Sequence, residues 1–510
     1  MPNFSEKSSP RASERFLAYS AQHARRRCLV KFFWVLVVAL LVATAFLIWT
    51  SWRLTRSAQG AEIKYAWVQM LPEGSDNGRL ARAIVANSDQ CPTITVGEAS
   101  WRMDYRPAPA RAAFPILLCE ARINSHSPAR IGLVTLPSRQ DDPTHIVAIG
   151  DTGCRMVYWT SQPCFSGEQW PFAAIASNAA KAIGEARLPS VIIHVGDYHY
   201  REHVCLDGNP DCGGSPYGDN WATWEEEFFK PARPLLLAAP WVLLRGNHED
   251  CNRAGAGWSF FFALPNPAGK EPTKACESEL GGYSVAIGYT ADHNRRSLFV
   301  FDTAAEADSH GIVARCETFI KWFGQLEVSK AENWLALHQP LWPRNSDGSP
   351  SDLEAPKAPC TDATKSALDA IRTRFDTAKP QRLARLVLAG DTHLFQFFRP
   401  DNDNFPVQLV VGNGGTSLDK LKKSGVAEIV ASASDTPITS YGVMGSSLSV
   451  ARHGYTTLRR DEWIWTVQAH DIRGKSFVTC HVKEGPDETS PEMRPCSVPP
   501  EEKAVSATSG

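Results

Sequence analysis

The stretch His194-Val195-Gly196-Asp197-Tyr198-His199-Tyr200, entered through the apolar run Val191–Val195, decides how this 510-residue chain is read. A short apolar run closed by Gly reads as a buried strand. The Gly lets the backbone turn closely, and the next side chain then points into a crevice at the strand's carboxyl end. The construction recurs. Ala148-Ile149-Gly150-Asp151-Thr152-Gly153 lies upstream; Leu244-Arg245-Gly246-Asn247-His248-Glu249, Leu335-Ala336-Leu337-His338-Gln339-Pro340 and Leu388-Ala389-Gly390-Asp391-Thr392-His393 lie downstream. A lone Gly-Asp after a strand carries little weight, and a lone His is more often a core or surface residue. Five such strand ends in order are another matter. They offer carboxylates, imidazoles, an amide and a phenol, a donor set suited to Fe, Mn or Zn.

Working outward, apolar runs at His145–Ile149, Pro240–Leu244, Leu298–Phe301, Trp334–Leu337 and Leu383–Leu388 are separated by helical stretches such as Pro171–Glu185. Continuous apolar strands imply sheets covered on both faces, hence an α/β layered sheet core flanked by helices over residues 143–485. Residues 63–140 hold shorter runs (Thr93–Val96, Phe114–Leu118, Ile131–Leu136) punctuated by Pro, Gly and Asn-Ser, which predicts a small β-rich domain. No titratable constellation stands out there, so a packing or spacer role is the favoured reading. The Pro/Glu/Ser-rich residues 486–510 read as a mobile tail. There is no internal repeat.

The motif series resembles the calcineurin-like metallophosphoesterases, whose pattern runs Asp, Gly-Asp, Gly-Asn-His-Glu/Asp, His, Gly-His-x-His on successive strands. Gly196-Asp197-Tyr198-His199-Tyr200 is similar to the Gly-Asp-x-x-Tyr of the purple acid phosphatases, with Tyr200 the specific part. The likeness covers residues 145–415. It implies a first metal, Fe(III), held by Asp151, Asp197, Tyr200 and His393. It also implies a second, divalent ion (Fe, Mn or Zn) bridged by Asp197 and held by Asn247 and His338. Asp391 departs from the pattern, standing where the family has the first His of Gly-His-x-His. A carboxylate there favours a harder ion such as Mn or Fe over Zn, or weakens the second site. The activity implied by the resemblance is hydrolysis of a small phosphorylated substrate, a monoester, by water activated between two cations. His248 is the candidate to stabilise the phosphoryl group or protonate the leaving alkoxide, or alternatively to orient a carboxylate. Phosphodiester hydrolysis, and a binding scaffold on a degenerate site, are the competing readings.

Charge and cysteines address location. Residues 1–60 carry nine Lys/Arg against two Asp/Glu, within a chain of net charge −2, so the remainder is acidic and nucleic-acid binding is not expected. The basic excess surrounds Phe32–Trp49, a run without charged residues that spans ~27 Å as a helix. Arg25, Arg26, Arg27 and Lys31 precede it. The expectation is therefore a single-pass anchor over 32–50, with the tail 1–31 cytoplasmic and the catalytic domain periplasmic or extracellular. Ala58-Gln59-Gly60 offers the alternative, a cleavage site. Of 13 Cys, all but Cys28 follow the apolar run, an even number as disulfides require. Close spacing favours Cys154–Cys164, Cys205–Cys212 and Cys480–Cys496, and Cys91–Cys119 is a candidate staple, although spacing alone does not set connectivity. The absence of an N-x-[ST] sequon after the run favours a bacterial over a eukaryotic secretory route.

Smaller expectations concern single residues. His199 and His203 line a pocket or sit in solvent, and Asn413 forms a turn or a pocket wall. His194 belongs to the core. Arg245 contacts phosphate or pairs with a carboxylate. Trp221, Trp224 and Glu225–Glu227 read as an amphipathic helix with a solvated acidic face.

Overall fold

The computed structural model describes residues 33–47, 62–264, 282–304, 332–342, 384–419, 438–484 and 496–499, apart from interruptions at 74–77, 87–88, 139–140, 158–160, 207, 290–292, 294, 403–404 and 441–442. Met1–Glu62 and Ile63–Gly510 are separate compact units. In the first, residues 33–47 are helical. Among the described residues no helix is long and apolar enough to cross a membrane, so the expected 32–50 anchor is not supported by them.

In the second unit the apolar runs are strands. His145–Ile149, Ser190–His194 and Trp241–Leu243 pair in parallel at the centre of an eleven-stranded sheet, with Val147 opposite Ile192 and Ile193 opposite Val242. An eight-stranded sheet carries a second parallel set, Arg295–Phe301, Glu332–Ala336, Leu386–Ala389 and Val407–Val411. Strand periodicity of two decides what each face covers. Ile146, Ala148, Val191, Ile193 and Val242 face one core with Leu298, Trp334, Leu388 and Leu409 of the second sheet. Val147, Ile149, Ile192, Trp241 and Leu243 face the other core, beneath the helix Phe172–Ala186. That helix presents Phe172, Ile175, Ala176, Ala179 and Ile183, spaced to lie along one stripe. Both faces of the central strands are therefore covered, as their unbroken apolar runs require.

Residues 63–140, expected as a small β domain, contribute strands to this same sheet. Glu62–Met70 pairs in parallel with Trp241–Leu243, and Arg79–Ala86 pairs antiparallel with Leu117–Ile123. A separate four-stranded sheet uses Thr93–Val96, Ala99–Arg102, Ala129–Ile131 and Val134–Thr135. Cys91–Cys119, Cys154–Cys164, Cys205–Cys212 and Cys480–Cys496 are disulfide-bonded, the four pairings favoured by spacing or proposed as a staple. Cys251 is also disulfide-bonded. Within the expected tail, Cys496–Ser497 is a strand paired with Ser476–Lys483.

Candidate metal centre

The carboxyl ends of the central strands of both sheets meet, and five loops bring their polar side chains to one place. Asp151 and Asp197 leave the first sheet with φ of 55° and 60°, and Asp391 leaves the second with φ of 66°. A left-handed backbone on a non-Gly residue is costly and is held only where the surroundings over-determine it. Gly196, at φ 107°, makes the turn before Asp197 possible, and a Cβ there would meet His338 Nδ1 at 2.6 Å.

Tyr200 sits at the middle. Its hydroxyl donates to Asp197 Oδ2 at 2.6 Å and lies 3.1 Å from Asp151 Oδ1 and 3.0 Å from His393 Nε2. One phenol carries one proton, so three acceptors gathered on it are more than it can satisfy. On the other side of Asp197, His338 Nδ1 donates to the Val195 carbonyl at 2.8 Å, which leaves Nε2 with its lone pair outward. That Nε2 faces Asn247 Oδ1 at 2.9 Å and Asp197 Oδ2 at 3.2 Å. A lone pair aimed at two oxygens calls for a proton or a cation between them. Asp151, Asp197 and His338 together present one ligand atom each within 4.8 Å of one another. Asp391, 3.7 Å from His338 Nε2 and partly exposed, stands at the rim, and its N–H reaches the Asp151 carboxylate.

The protonation pattern expresses the same deficit. Burial, together with the neighbouring Asp197 and Asp391 carboxylates, pushes Asp151 well above the usual range. Burial opposes ionisation of Asp197 too, but His338 and His248 hold it below that range. Burial would also lower His338; the surrounding Asp197, Asp151 and Asp391 charges raise it well above its ordinary value. Protons thus do work that cations would do, and the donor set of carboxylates, imidazoles, amide and phenol fits two such ions.

A family model for calcineurin-like phosphoesterases matches residues 144–395. Among solved structures, the chain is similar in fold to the purple acid phosphatase PPD1 from yellow lupin (Lupinus luteus) seeds. The TM-score is 0.51 at 11% identity, over 83% of this chain and 75% of that chain. PhoD gives a TM-score of 0.47 at 12% identity, over 82% and 90% of the two chains. GAP50 of Plasmodium gives 0.40 at 11% identity, over 68% and 90%. No curated protein matches the chain.

Two buried carboxylates hold the motif loops in place, a role that the sequence shows for neither. Glu249 accepts from the N–H groups of Asp197, Tyr198, His199 and Gly246, between 2.8 and 3.1 Å. Glu227 accepts from Cys154 and Tyr200 at 2.8 and 2.9 Å, linking the Asp151 loop to the Tyr200 loop. The expected solvated face of Glu225–Glu227 is corrected here: Glu227 is buried. Glu225–Phe229 forms a π turn, which departs from the 3.6-residue period and turns Glu227 inward with Phe228 and Phe229.

His248 lies over the Tyr200 ring at 3.9 Å between centroids, and its Nδ1 is 2.8 Å from Glu202 Oε1. Its Nε2 is 3.9 Å from Asp197 Oδ2. Burial would lower this imidazole, but Asp197 and Glu202 raise it above its ordinary value. Of the smaller expectations, Arg245 pairs with Asp302 at 2.6 Å. His194 is core, stacked on Tyr198 at 3.8 Å and hydrogen-bonded to Thr152. His199 is buried, with Nε2 on the Gly218 carbonyl. Asn413 is buried and donates to the Arg452 carbonyl.

Proposed function

We propose that this chain is an exported, dinuclear-metal hydrolase of phosphate monoesters, resembling the purple acid phosphatase branch of its family. The observation that carries the reading is the Tyr200 hydroxyl lying within 3.1 Å of Asp151, Asp197 and His393, with His338 and Asn247 on the far side of Asp197. Asp151, Asp197, Tyr200 and His393 would hold the first ion, as phenolate suits Fe(III). Asp197, Asn247, His338 and Asp391 would hold the second, a divalent Fe, Mn or Zn. When bound, two cations supply an activated water and neutralise charge on the phosphoryl oxygens.

The chain's own groups do the rest. Asp197, fixed by the His248 N–H on Oδ1 and by Tyr200 on Oδ2, sets the separation between the two halves of the site. Val195 orients His338 through Nδ1. Glu202 holds His248 through Nδ1, so the proton on Nε2 is free for a phosphoryl oxygen or the leaving alkoxide.

The disulfides support an oxidising compartment for the folded unit. We assign the membrane anchor to Phe32–Trp49 on its apolar run and flanking basic residues. Retention of the chain in the membrane pellet after alkaline carbonate tests that assignment, and release into the supernatant contradicts it.

The enzymatic reading is tested by comparing 4-nitrophenyl phosphate with bis(4-nitrophenyl) phosphate, with Asp197→Asn as control. Faster monoester cleavage that vanishes in the control supports it. Faster diester cleavage transfers the reading to phosphodiesters, and no cleavage of either by folded, metal-supplied protein favours a binding role.

A further inference from the structure

A cavity of about 570 Å³ lies beside the loop that follows Asp151. It is lined by Arg155, Ser161, Gln169, Ser417 and His453, with Glu168 at its exposed edge. Each wall is tied to a metal-centre loop. Arg155 follows Asp151 by four residues, on the loop closed by Cys154–Cys164. Ser417 lies between Thr416, whose N–H reaches the Asp151 carbonyl at 2.9 Å, and Asp419, whose carboxylate accepts from the His393 N–H at 3.0 Å. His453 precedes Gly454, whose N–H reaches Asn413 at 2.9 Å. Gln162 braces the two sides, its amide donating to Gly415 at 2.8 Å.

Two polar groups at this cavity are open to a ligand. Among the described residues the Arg155 guanidinium forms no ion pair, although its backbone N–H is held by Gln162 Oε1 at 3.1 Å. The Nδ1 of His453 is shielded from solvent and has no hydrogen-bond partner. Burial pushes that ring down to about 4 despite its hydrogen bond with the Asn413 backbone, so it is neutral at pH 7. The other charges nearby are few. His393 acts on His453 and Arg155 acts on His393, whose Nδ1 lies 3.7 Å from the Asp419 carboxylate, and Glu168 stands in solvent. An unpaired cation and a buried ring nitrogen, on loops tied to the metal centre, are complementary to an anion.

We propose that this cavity receives the alcohol side of the substrate, and that Arg155, with His453 beside it, selects phosphate esters whose leaving group carries a second anionic group, a carboxylate or a further phosphate. The volume lies in the range of small-molecule sites, roughly 300–1,000 Å³. Arg155 is here a specificity residue, since the phosphoryl group itself belongs to the metal centre. The inference rests on the phosphoesterase reading above and deepens it.

Binding separates the two. Phenylphosphonate and 4-phosphonobenzoate share a non-hydrolysable phosphoryl mimic and differ by one carboxylate. Titration calorimetry on the metal-supplied full chain is expected to show 4-phosphonobenzoate binding about tenfold tighter, the effect of one charge-assisted hydrogen bond. In Arg155→Gln that preference disappears, and in Arg155→Lys part of it remains. Equal affinities in the unsubstituted protein, or a preference that survives in Arg155→Gln, overturns the proposal. Because titration needs no turnover, loss of 4-nitrophenyl phosphate hydrolysis would count against the phosphoesterase reading alone. Arg155 is partly exposed, so its replacement opens no core cavity, and unchanged thermal melting checks this.

Discussion

The Tyr200 hydroxyl lies 2.6 Å from Oδ2 of Asp197, three residues earlier in the chain. A left-handed Asp197 after Gly196 folds the loop back so that both side chains reach the same point. The phenol therefore completes one half of the centre while the carboxylate is shared with the other half.

The first prediction concerns that phenol. Tyr200→Phe keeps the ring over His248 and removes the oxygen alone. The folded protein should melt as before, while affinity for the first ion falls by at least about 10-fold, since losing even an outer partner of a ligand costs about 10–100-fold. Iron-supplied, oxidised protein should also lose its phenolate-to-iron absorption in the visible. Unchanged metal content and spectrum would remove Tyr200 from the site.

A second prediction concerns the carboxylates beneath the loops. Glu249→Gln places an amide NH₂ against backbone donors, as does Glu227→Gln. Each donor left without an acceptor costs about 1–3 kcal/mol. Glu226→Gln, which removes only an exposed pair with Lys230, should stay within about 0.5 kcal/mol. Urea denaturation distinguishes them, and equal effects at the three positions would refute the supporting role.

These two carboxylates also mark where the sequence stops being legible. Gly-Asp and Gly-Asn at strand ends are readable because a buried strand and its exit residue are local patterns. Three of the disulfides are favoured by short spacing and Cys91–Cys119 is a candidate staple, although spacing alone does not set connectivity. Glu227 defies the solvated-face expectation because a π turn breaks the helical period on which that expectation depends. Glu249 lies within a recognisable motif, but its role depends on Asp197, Tyr198 and His199, about fifty residues away in sequence. The union of residues 63–140 with the main sheet rests on Gln69 meeting Trp241, a pairing that no local pattern announces.

The departure at Asp391 makes a third prediction. Its carboxylate lies 3.7 Å from His338 Nε2, within reach of a shared ion. Replacing it, Asp391→His, should shift the second site from Mn or Fe toward Zn, since imidazole is the softer donor. Competition titration with Mn and Zn reads the change. Indifference of both affinities to this substitution would show that Asp391 lies outside the coordination sphere.

A fourth prediction concerns pH and uses a residue away from the centre. His145 is buried beside Ser190, and burial pushes it down to about 4. The unfolded chain binds the proton first, so the stability His145 contributes is present above about pH 6.5 and is lost as pH falls toward about 4. The full window is worth on the order of 3 kcal/mol. His145→Gln should therefore lose less stability between pH 7 and pH 4.5 than the unsubstituted protein in urea titrations. Parallel pH profiles would place the acid sensitivity elsewhere.

The central claim, that these loops hold two cations across Asp197, is tested most directly by metal content. Purified full-length protein, supplied with Fe, Mn and Zn and then desalted, is analysed by inductively coupled plasma mass spectrometry alongside Asp197→Asn. The account predicts two ions per chain in the first protein and one or none in the variant. One ion or fewer in the unsubstituted protein, or two in both, would contradict it.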